Sequence, residues 1–258
     1  GVKLANPELD VWVVGGDGDM LSIGAGHLVH ALRRNVDLQI LLLNNEIYGL
    51  TKGQSSPTTR PGTRTPSTPG GSVDNPLSAL RLALGAGARF VARGIDTQQK
   101  VLPEILKRAR RHPGAALVEI LQNCIVYNDG AFAAVTDKAV EAESQVHLVH
   151  GEPLLFGKAR DRGLRRRADG FGLEAVRVGA DGVEPGDVLR HDQTDPGLAM
   201  LLAAMEPPAL PVAIGVLYDD PAPSYQMRLT QAAAAGRGTS TGADLNTLLR
   251  QGPTWIMP

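Results

Sequence analysis

The chain has 258 residues, of which 43% are hydrophobic and 21% are charged, and its formal net charge is −1. This balance gives no basic surface for nucleic acid, and no stretch has the apolar length that would cross a membrane, so we expect neither as a partner. The single cysteine, Cys124, excludes an intramolecular disulfide, and no secretory signal is present, so we expect a cytoplasmic protein.

The first half of the sequence alternates strand and helix patterns. The continuous apolar runs suit strands that are buried on both faces. A β-α-β-α-β-α-β order predicts an α/β fold, a parallel sheet flanked by helices, with ligands at the carboxyl ends of the strands. In chain order the predicted elements are strand 10–15, helix 22–34, strand 38–43, helix 75–84, strand 89–92, helix 97–111 and strand 116–121.

The pattern changes near residue 131. We therefore predict a first domain, residues 1–130, and a C-terminal α+β extension, residues 131–258, that packs on the same domain or on a partner subunit. The arginine-rich segment 160–167 favours a solvated face over an anion site. The extension is predicted to contain strands 153–156, 173–179 and 214–217 and helices 197–205, 225–235 and 243–251.

The start of the chain is typical of the end of a helix. Asn6-Pro7 would stop that helix, since proline disfavours a helical conformation in the preceding residue. Residue 1 is glycine rather than methionine. Our interpretation is that an N-terminal segment of the protein is missing from this sequence.

Polar residues follow the first two predicted strands. Gly16-Asp17-Gly18-Asp19 follows the first strand, and Asn44-Asn45 ends the second. If these strands are neighbours, Asp17 and Asn45 supply two oxygen ligands at one edge of the sheet, and the glycines let a diphosphate approach the backbone. The pattern predicts a magnesium diphosphate site. The alternative interpretation is a tight strand-to-helix turn in which the aspartate only caps the helix.

A long irregular segment, residues 53–72, follows the second strand and is rich in Ser, Thr, Pro and Gly. Its composition alone is that of a disordered linker. Long insertions inside compact domains are more often functional loops. We interpret it as an ordered loop that closes over the site or packs on a partner subunit.

The strongest resemblance begins at Asn44 and reads Asn-Asn-Glu-Ile-Tyr-Gly-Leu-Thr-Lys-Gly-Gln-Ser-Ser. Together with Gly-Asp-Gly, which is similar to the thiamine diphosphate motif, it resembles the beta subunit of the 2-oxoacid:ferredoxin oxidoreductases, in the branch that includes the 2-oxoglutarate enzymes. Further similar segments are residues 16–20, 27–35, 123–128 and 248–255.

The resemblance implies a set of site residues. Asp17 and Asn45 would bind Mg²⁺ through side chains and Ile47 through its backbone carbonyl. Gly18, Asp19, Gly49 and Leu50 would line thiamine diphosphate. Cys124 would be one ligand of a 4Fe-4S cluster, whose remaining ligands we expect upstream of Gly1, so the chain as given is not expected to hold the cluster alone. Without this resemblance, a lone cysteine is usually a small buried hydrophobic residue.

The implied activity is thiamine diphosphate-dependent oxidative decarboxylation of a 2-oxoacid with CoA, which yields acyl-CoA, CO₂ and reduced ferredoxin. An alpha or fused alpha/gamma subunit would complete the cofactor site, and ferredoxin would accept electrons. Lys52 would pair with the second carboxylate of 2-oxoglutarate, and Leu50 suggests a pocket for longer oxoacids. We assign no catalytic residue to this chain, because Glu46 and Glu119 are more simply structural.

Two other functions remain open. A thiamine diphosphate enzyme of the acetolactate synthase or decarboxylase type shares the metal motif but does not need Cys124. A non-catalytic subunit would retain the fold for assembly only. His27 and His30 are three residues apart on a predicted helix, where a surface or packing role is favoured over metal binding or proton transfer.

Overall fold

A computed structural model describes residues 1–237, 245–250 and 252 of the chain. The predicted C-terminal helix 243–251 and the similar segment 248–255 lie partly outside these residues. The helices are α1 Val2–Ala5, α2 Asp17–Leu21, α3 Ala25–Arg34, α4 Ala79–Gly85, α5 Leu102–Arg111, α6 Ala133–Thr136, α7 Glu141–Ser144, α8 Pro196–Ala203, α9 Tyr225–Arg237 and α10 Leu245–Leu249. The strands are β1 Trp12–Gly16, β2 Gln39–Asn44, β3 Phe90–Ile95, β4 Ala116–Leu121, β5 Gln145–His147, β6 Leu155–Phe156, β7 Arg162–Arg166, β8 Leu173–Arg177 and β9 Val212–Asp219.

The main sheet has six strands in the order β1-β2-β4-β3-β9-β5. Strands β1 to β4 are parallel, as the alternating sequence pattern predicts. Strand β9 runs antiparallel to β3, and β5 runs parallel to β9. The α/β fold is therefore confirmed, and two strands from beyond residue 130 extend the same sheet. The proposed domain boundary at residue 130 stays a prediction.

The predicted helix 22–34 is wrong at its start. The chain forms two helices here, because α2 begins at Asp17 and α3 begins only at Ala25. Gly24 lies in the turn between them, where its N–H donates to Asp19 O at 2.8 Å. A Cβ atom at Gly24 would lie 2.6 Å from that same oxygen, so the turn needs glycine. The Gly-Asp-Gly motif therefore enters a helix directly.

Helices cover both faces of the central strands. On one face, α3, α4 and α8 contribute buried leucines to a continuous core. On the other face, Ile105 and Ala109 of α5 pack against Phe90, Ala116 and Val118. This double coverage explains the continuous apolar runs of β2, β3 and β4. Strand β1 lies at the edge of the sheet.

A separate antiparallel sheet contains β6, β7 and β8. The arginine-rich segment forms β7, where Leu164 is fully buried while Arg165 Nε donates to Glu174 on β8 at 2.7 Å. Arg166 and Arg167 are exposed. Among the described residues, none of the helices combines the length and the apolar character that crossing a bilayer requires.

Candidate functional site

The carboxyl ends of β1 and β2 place Asp17 beside Asn45. The two strands are paired in parallel with Gly16 opposite Leu43, so the residues that follow them leave the sheet at the same edge. The N–H group of Asn45 points at Asp17 Oδ1 over 3.5 Å. The structure thus brings together the two predicted side-chain ligands, which are 28 residues apart in sequence.

Three oxygen atoms converge at this point. The side-chain oxygen of Asn45 faces Asp17 Oδ1 and the carbonyl oxygen of Ile47, and its one donor is a long contact from Ile47 N–H at 3.3 Å. With the amide turned round, its NH₂ group would donate to Asp17 Oδ1 at 3.2 Å and to Ile47 O at 2.7 Å. Three acceptors repel one another unless a positive charge or these hydrogen atoms lie between them. The geometry therefore suits either a cation or the turned amide.

The carboxylate of Asp17 is almost completely buried, with 1% exposure. No ion pair among residues 1–237, 245–250 and 252 includes it. Burial raises the pKa of Asp17 above its usual value, and hydrogen bonds from Ser56 and Thr58 offset only part of that increase. A buried anion without a cationic side chain is the electrostatic environment in which a bound metal ion is favourable.

The predicted cofactor-lining residues occupy the same edge. Tyr48 donates from its hydroxyl group to Gly18 O at 2.9 Å, and a Cβ atom at Gly18 would lie 2.2 Å from the Tyr48 ring. Glycine is therefore required by the approach of this ring. Asp19 and Leu50 are exposed, and Gly49 accepts a turn hydrogen bond from Lys52 N–H at 3.2 Å.

The segment 53–72, which we call the lid, folds back over the site. Its hydroxyl groups bond to one another and to the backbone, as Ser55 with Thr68 at 2.8 Å shows. Thr58 Oγ1 donates to Asp17 Oδ2 at 2.5 Å, and Thr59 Oγ1 donates to Glu46 O at 2.7 Å. The structure thus agrees with the interpretation of an ordered loop that closes over the site.

A buried polar cluster that was not predicted from the sequence lies beneath the lid. Asn44 Nδ2 donates to Glu119 Oε1 at 2.9 Å, and Arg93 Nε donates to Glu119 Oε2 at 2.7 Å. All three side chains are buried. A glutamate inside the apolar run of β4 was the available signal, since buried carboxylates need partners.

Glu46 forms a second charged contact at this edge. Arg60 Nε donates to both of its carboxylate oxygens at 3.0 Å. Burial raises the pKa of Glu46, which Arg60 lowers again in part. The backbone of Glu46 is left-handed, with a φ of 57°, and Lys52 is also left-handed, with a φ of 78°. Two non-glycine residues thus hold strained conformations at the mouth of the site.

Cys124 lies next to residues 45–52, which carry the predicted cofactor-lining residues Gly49 and Leu50 and which we call the cofactor loop. A Cβ atom at Gly49 would lie 3.8 Å from Cys124 Sγ, and Asn128 Nδ2 donates to Asn45 O at 2.9 Å. The cysteine is partly exposed, unlike a core residue. It is the only cysteine of the sequence, and the described part of the chain contains no group of three or more His, Cys, Asp and Glu residues arranged around a metal. One thiolate does not fit a 4Fe-4S cluster within this chain alone.

The other predicted polar residues point to solvent. The side chain of Lys52 is exposed beside Leu50, and His27 and His30 are exposed on α3. The placement of both histidines agrees with a role at the helix surface.

Comparison with known proteins identifies the family. Residues 1–120 match the model for the thiamine pyrophosphate enzyme, C-terminal TPP binding domain. The 2-oxoglutarate oxidoreductase subunit KorB of Mycobacterium tuberculosis is 43% identical over 267 aligned positions, which include the whole of this chain and 69% of that protein. The chain belongs to the 2-oxoacid:ferredoxin oxidoreductase beta-subunit family.

Other members of this beta-subunit family are similar over shorter regions. The 2-oxoacid:ferredoxin oxidoreductase subunit beta of Saccharolobus solfataricus is 49% identical over 54% of this chain and 46% of its own length. A solved 2-oxoglutarate:ferredoxin oxidoreductase from Magnetococcus marinus, with 2-oxoglutarate, coenzyme A and succinyl-CoA bound, is 31% identical. It matches with a TM-score of 0.71 over 98% of this chain and 71% of its own. The chain therefore spans about seven-tenths of two relatives and less than half of the third.

Proposed function

We propose that this chain is the beta subunit of a 2-oxoglutarate:ferredoxin oxidoreductase and that it holds thiamine diphosphate through Mg²⁺ at the carboxyl edge of β1 and β2. The observation that carries the metal assignment is the buried carboxylate of Asp17, which lies beside Asn45 at the carboxyl ends of two paired strands and forms no ion pair with a cationic side chain of the described residues. The match to a thiamine pyrophosphate-binding domain over residues 1–120 supports the cofactor.

The donor set fits Mg²⁺ rather than a softer metal. Magnesium prefers hard oxygen ligands and usually takes one or two carboxylates together with phosphate oxygens and water. Asp17 supplies a carboxylate, Asn45 an amide oxygen and Ile47 a carbonyl oxygen. Diphosphate oxygens and water would complete the coordination.

Thiamine diphosphate, when bound, supplies the electron sink for decarboxylation of a 2-oxoacid. This chain's own contribution is to hold the metal, to place Gly49 and Leu50 beside the cofactor, and to shield the ligands from water with the lid. Shielding strengthens the attraction between the metal and the buried carboxylate.

Exposed apolar side chains follow the carboxyl ends of β1, β2 and β4 and support a partner surface at this edge. Leu50 is fully exposed, and Ile23, Ile125 and Val126 are exposed by 94%, 77% and 71%. Clustered exposed apolar side chains are typical of protein interfaces. The turn with Ile125 and Val126 contacts the cofactor loop through Asn128 and Asn45. We assign this surface to the alpha or fused alpha/gamma subunit, which would complete the cofactor site.

We also propose an electron path and a compartment. We propose that Cys124 contributes one ligand to a 4Fe-4S cluster whose other ligands come from outside this sequence, and that the electron acceptor is ferredoxin, as in the names of the relatives. The expected compartment is the cytoplasm. No reaction step is assigned to a cluster on this chain.

The proposed function is tested on the complex of this subunit with its native partner subunits. We expect 2-oxoglutarate- and CoA-dependent reduction of ferredoxin or of a viologen dye, and we expect that a chelator followed by gel filtration removes both Mg²⁺ and thiamine diphosphate. A complex that binds neither would support the non-catalytic alternative.

The preference for 2-oxoglutarate is tested by Lys52→Met, which keeps an unbranched stem and removes the charge. A charged hydrogen bond to the distal carboxylate contributes about 1.5 to 3 kcal/mol. The ratio of kcat/KM for 2-oxoglutarate to that for pyruvate should therefore fall by about tenfold or more. Lys100→Met is a control for the loss of a lysine elsewhere. An unchanged ratio, with both activities reduced together, would contradict the assignment.

A further inference from the structure

The proposed metal ligand Asp17 accepts a hydrogen bond from the lid residue Thr58. Thr58 lies beside a buried polar cluster in which Arg93 and Asn44 both donate to Glu119. Asn44 Oδ1 lies 3.2 Å from Thr58 Oγ1.

The orientation of Asn44 is fixed by Glu119. Because Glu119 Oε1 accepts from Asn44 Nδ2 at 2.9 Å, the side-chain oxygen of Asn44 must face the opposite way. There it accepts from Glu46 N–H at 3.2 Å and lies 3.2 Å from Thr58 Oγ1. Arg93 Nε donates to the other carboxylate oxygen, Glu119 Oε2, at 2.7 Å, and both side chains are buried.

The orientation of Asp17 is in turn fixed by Thr58. The hydroxyl group has one proton, and its nearest acceptor is Asp17 Oδ2 at 2.5 Å. This hydrogen bond occupies Oδ2 and leaves Oδ1 facing the side-chain amide of Asn45, 3.2 Å away. Without this donor, the carboxylate would have more freedom to rotate about its Cβ–Cγ bond.

We infer that Thr58 is a positioning residue for the proposed metal ligand: its hydrogen bond to Asp17 Oδ2 presents Asp17 Oδ1 to Mg²⁺ before the cofactor binds. The inference rests on the proposed magnesium and thiamine diphosphate site and adds a role for the lid. Preorganised ligands bind more tightly because less ordering remains to be done on binding. A positioning role therefore predicts a change in metal affinity without a change in the reaction rate at saturating metal.

The first test compares Thr58→Val with Thr58→Ser in the native complex after removal of metal and cofactor. Binding of Mn²⁺, a spectroscopic probe for the Mg²⁺ site, is measured by electron paramagnetic resonance in the presence of thiamine diphosphate. We expect Thr58→Val to weaken binding by about tenfold and Thr58→Ser to restore it. In Thr58→Val, the concentration of Mg²⁺ for half-maximal activity should rise, while kcat at saturating Mg²⁺ stays within about twofold of the wild-type value.

Thr65→Val is the matched control, because Thr65 is also a buried lid threonine, and among the described residues its hydroxyl group bonds only within the lid, to Ser55, Ser67 and Thr68. It should bind Mn²⁺ as the wild type does. Equal weakening by Thr65→Val and Thr58→Val would mean that the lid acts through its general stability, and the inference would be wrong.

Wild-type affinity in Thr58→Val would overturn the inference while leaving the proposed function intact. Failure of the wild-type complex to bind Mn²⁺ with thiamine diphosphate would instead overturn the proposed function.

Discussion

The main sheet has a buried carboxylate, Asp17, at the carboxyl ends of its parallel strands and a half-buried one, Asp219, at the amino end of β3, and their surroundings differ. Asp219 lies opposite Phe90, at the amino end of β3. It accepts hydrogen bonds from His112 Nδ1 at 2.9 Å and from Arg108 Nη2 at 3.1 Å. Burial alone would raise the pKa of Asp219, but these two partners outweigh burial and lower it. At the carboxyl edge, burial raises the pKa of Asp17, and no cationic side chain of the described residues contacts it.

This difference separates an edge with a paired charge from the edge at which we propose that the metal binds. Asp219 has a cationic partner, Arg108, within the chain, so its charge stabilises the fold. Asp17 has hydrogen-bond donors but no positive partner, so its charge costs stability until a cation binds. Sites that violate the ordinary rules of charge pairing are expected to be functional.

The largest expected effect comes from Asp17→Asn, which removes the charge from the carboxyl edge and keeps the shape. We expect the native complex to lose Mg²⁺ and thiamine diphosphate during purification, with at least 100-fold weaker retention, because a neutral amide is a poor replacement for a carboxylate ligand. Metal analysis and cofactor extraction measure this. The melting temperature of the metal-free protein should be equal or higher, because a buried unpaired charge is removed. Normal cofactor content would refute the magnesium assignment.

A second large effect is expected from Cys124→Ser at the same edge. The change replaces a soft thiolate with a hard, poorly ionised hydroxyl group, so the iron content of the full complex and its reduction of ferredoxin should fall. The visible absorbance of the cluster reports this directly. Unchanged absorbance would show that Cys124 only packs against Gly49.

The smallest effect is expected at the amino edge, from Asp219→Asn. Loss of the charge weakens hydrogen bonds to His112 and Arg108, so the free energy of unfolding should fall by about 2 kcal/mol at pH 7, while cofactor binding stays normal. Because the folded pKa is lowered, this stabilisation is present above the unfolded pKa of about 3.9 and is lost as the pH falls through the folded value. The difference between variant and wild type in urea titrations should therefore shrink below pH 4. A constant difference would contradict the ion-pair explanation.

The sequence was sufficient for the elements that depend on local pattern. Strands β1 to β4 follow from apolar runs, and Asp17 and Asn45 come together because both follow strands that turn out to be neighbours. The start of α2 was missed because glycine and aspartate are poor helix formers, and the helix there is stabilised by its tertiary surroundings. The placement of β9 beside β3 was not predictable, since residue patterns do not specify sheet order.

The supporting residues of the site were missed for a related reason. Thr58 lies in a segment whose composition is that of a linker, and its contact with Asp17 spans 41 positions. The sequence favours a structural role for Glu119, and a carboxylate in a buried strand indicates that it has a partner. Only the folded chain shows that Asn44 lies beside both Glu119 and Thr58.

The left-handed backbone at Glu46 and Lys52 has a practical consequence for protein engineering. Glycine adopts such conformations without the penalty of about 1 to 2 kcal/mol that other residues incur, so a search for thermostable variants would select glycine at both positions. The proteins obtained would unfold at a higher temperature and would lack the charged side chains of Glu46 and Lys52. Stability screens of this subunit should therefore fix residues 46 and 52.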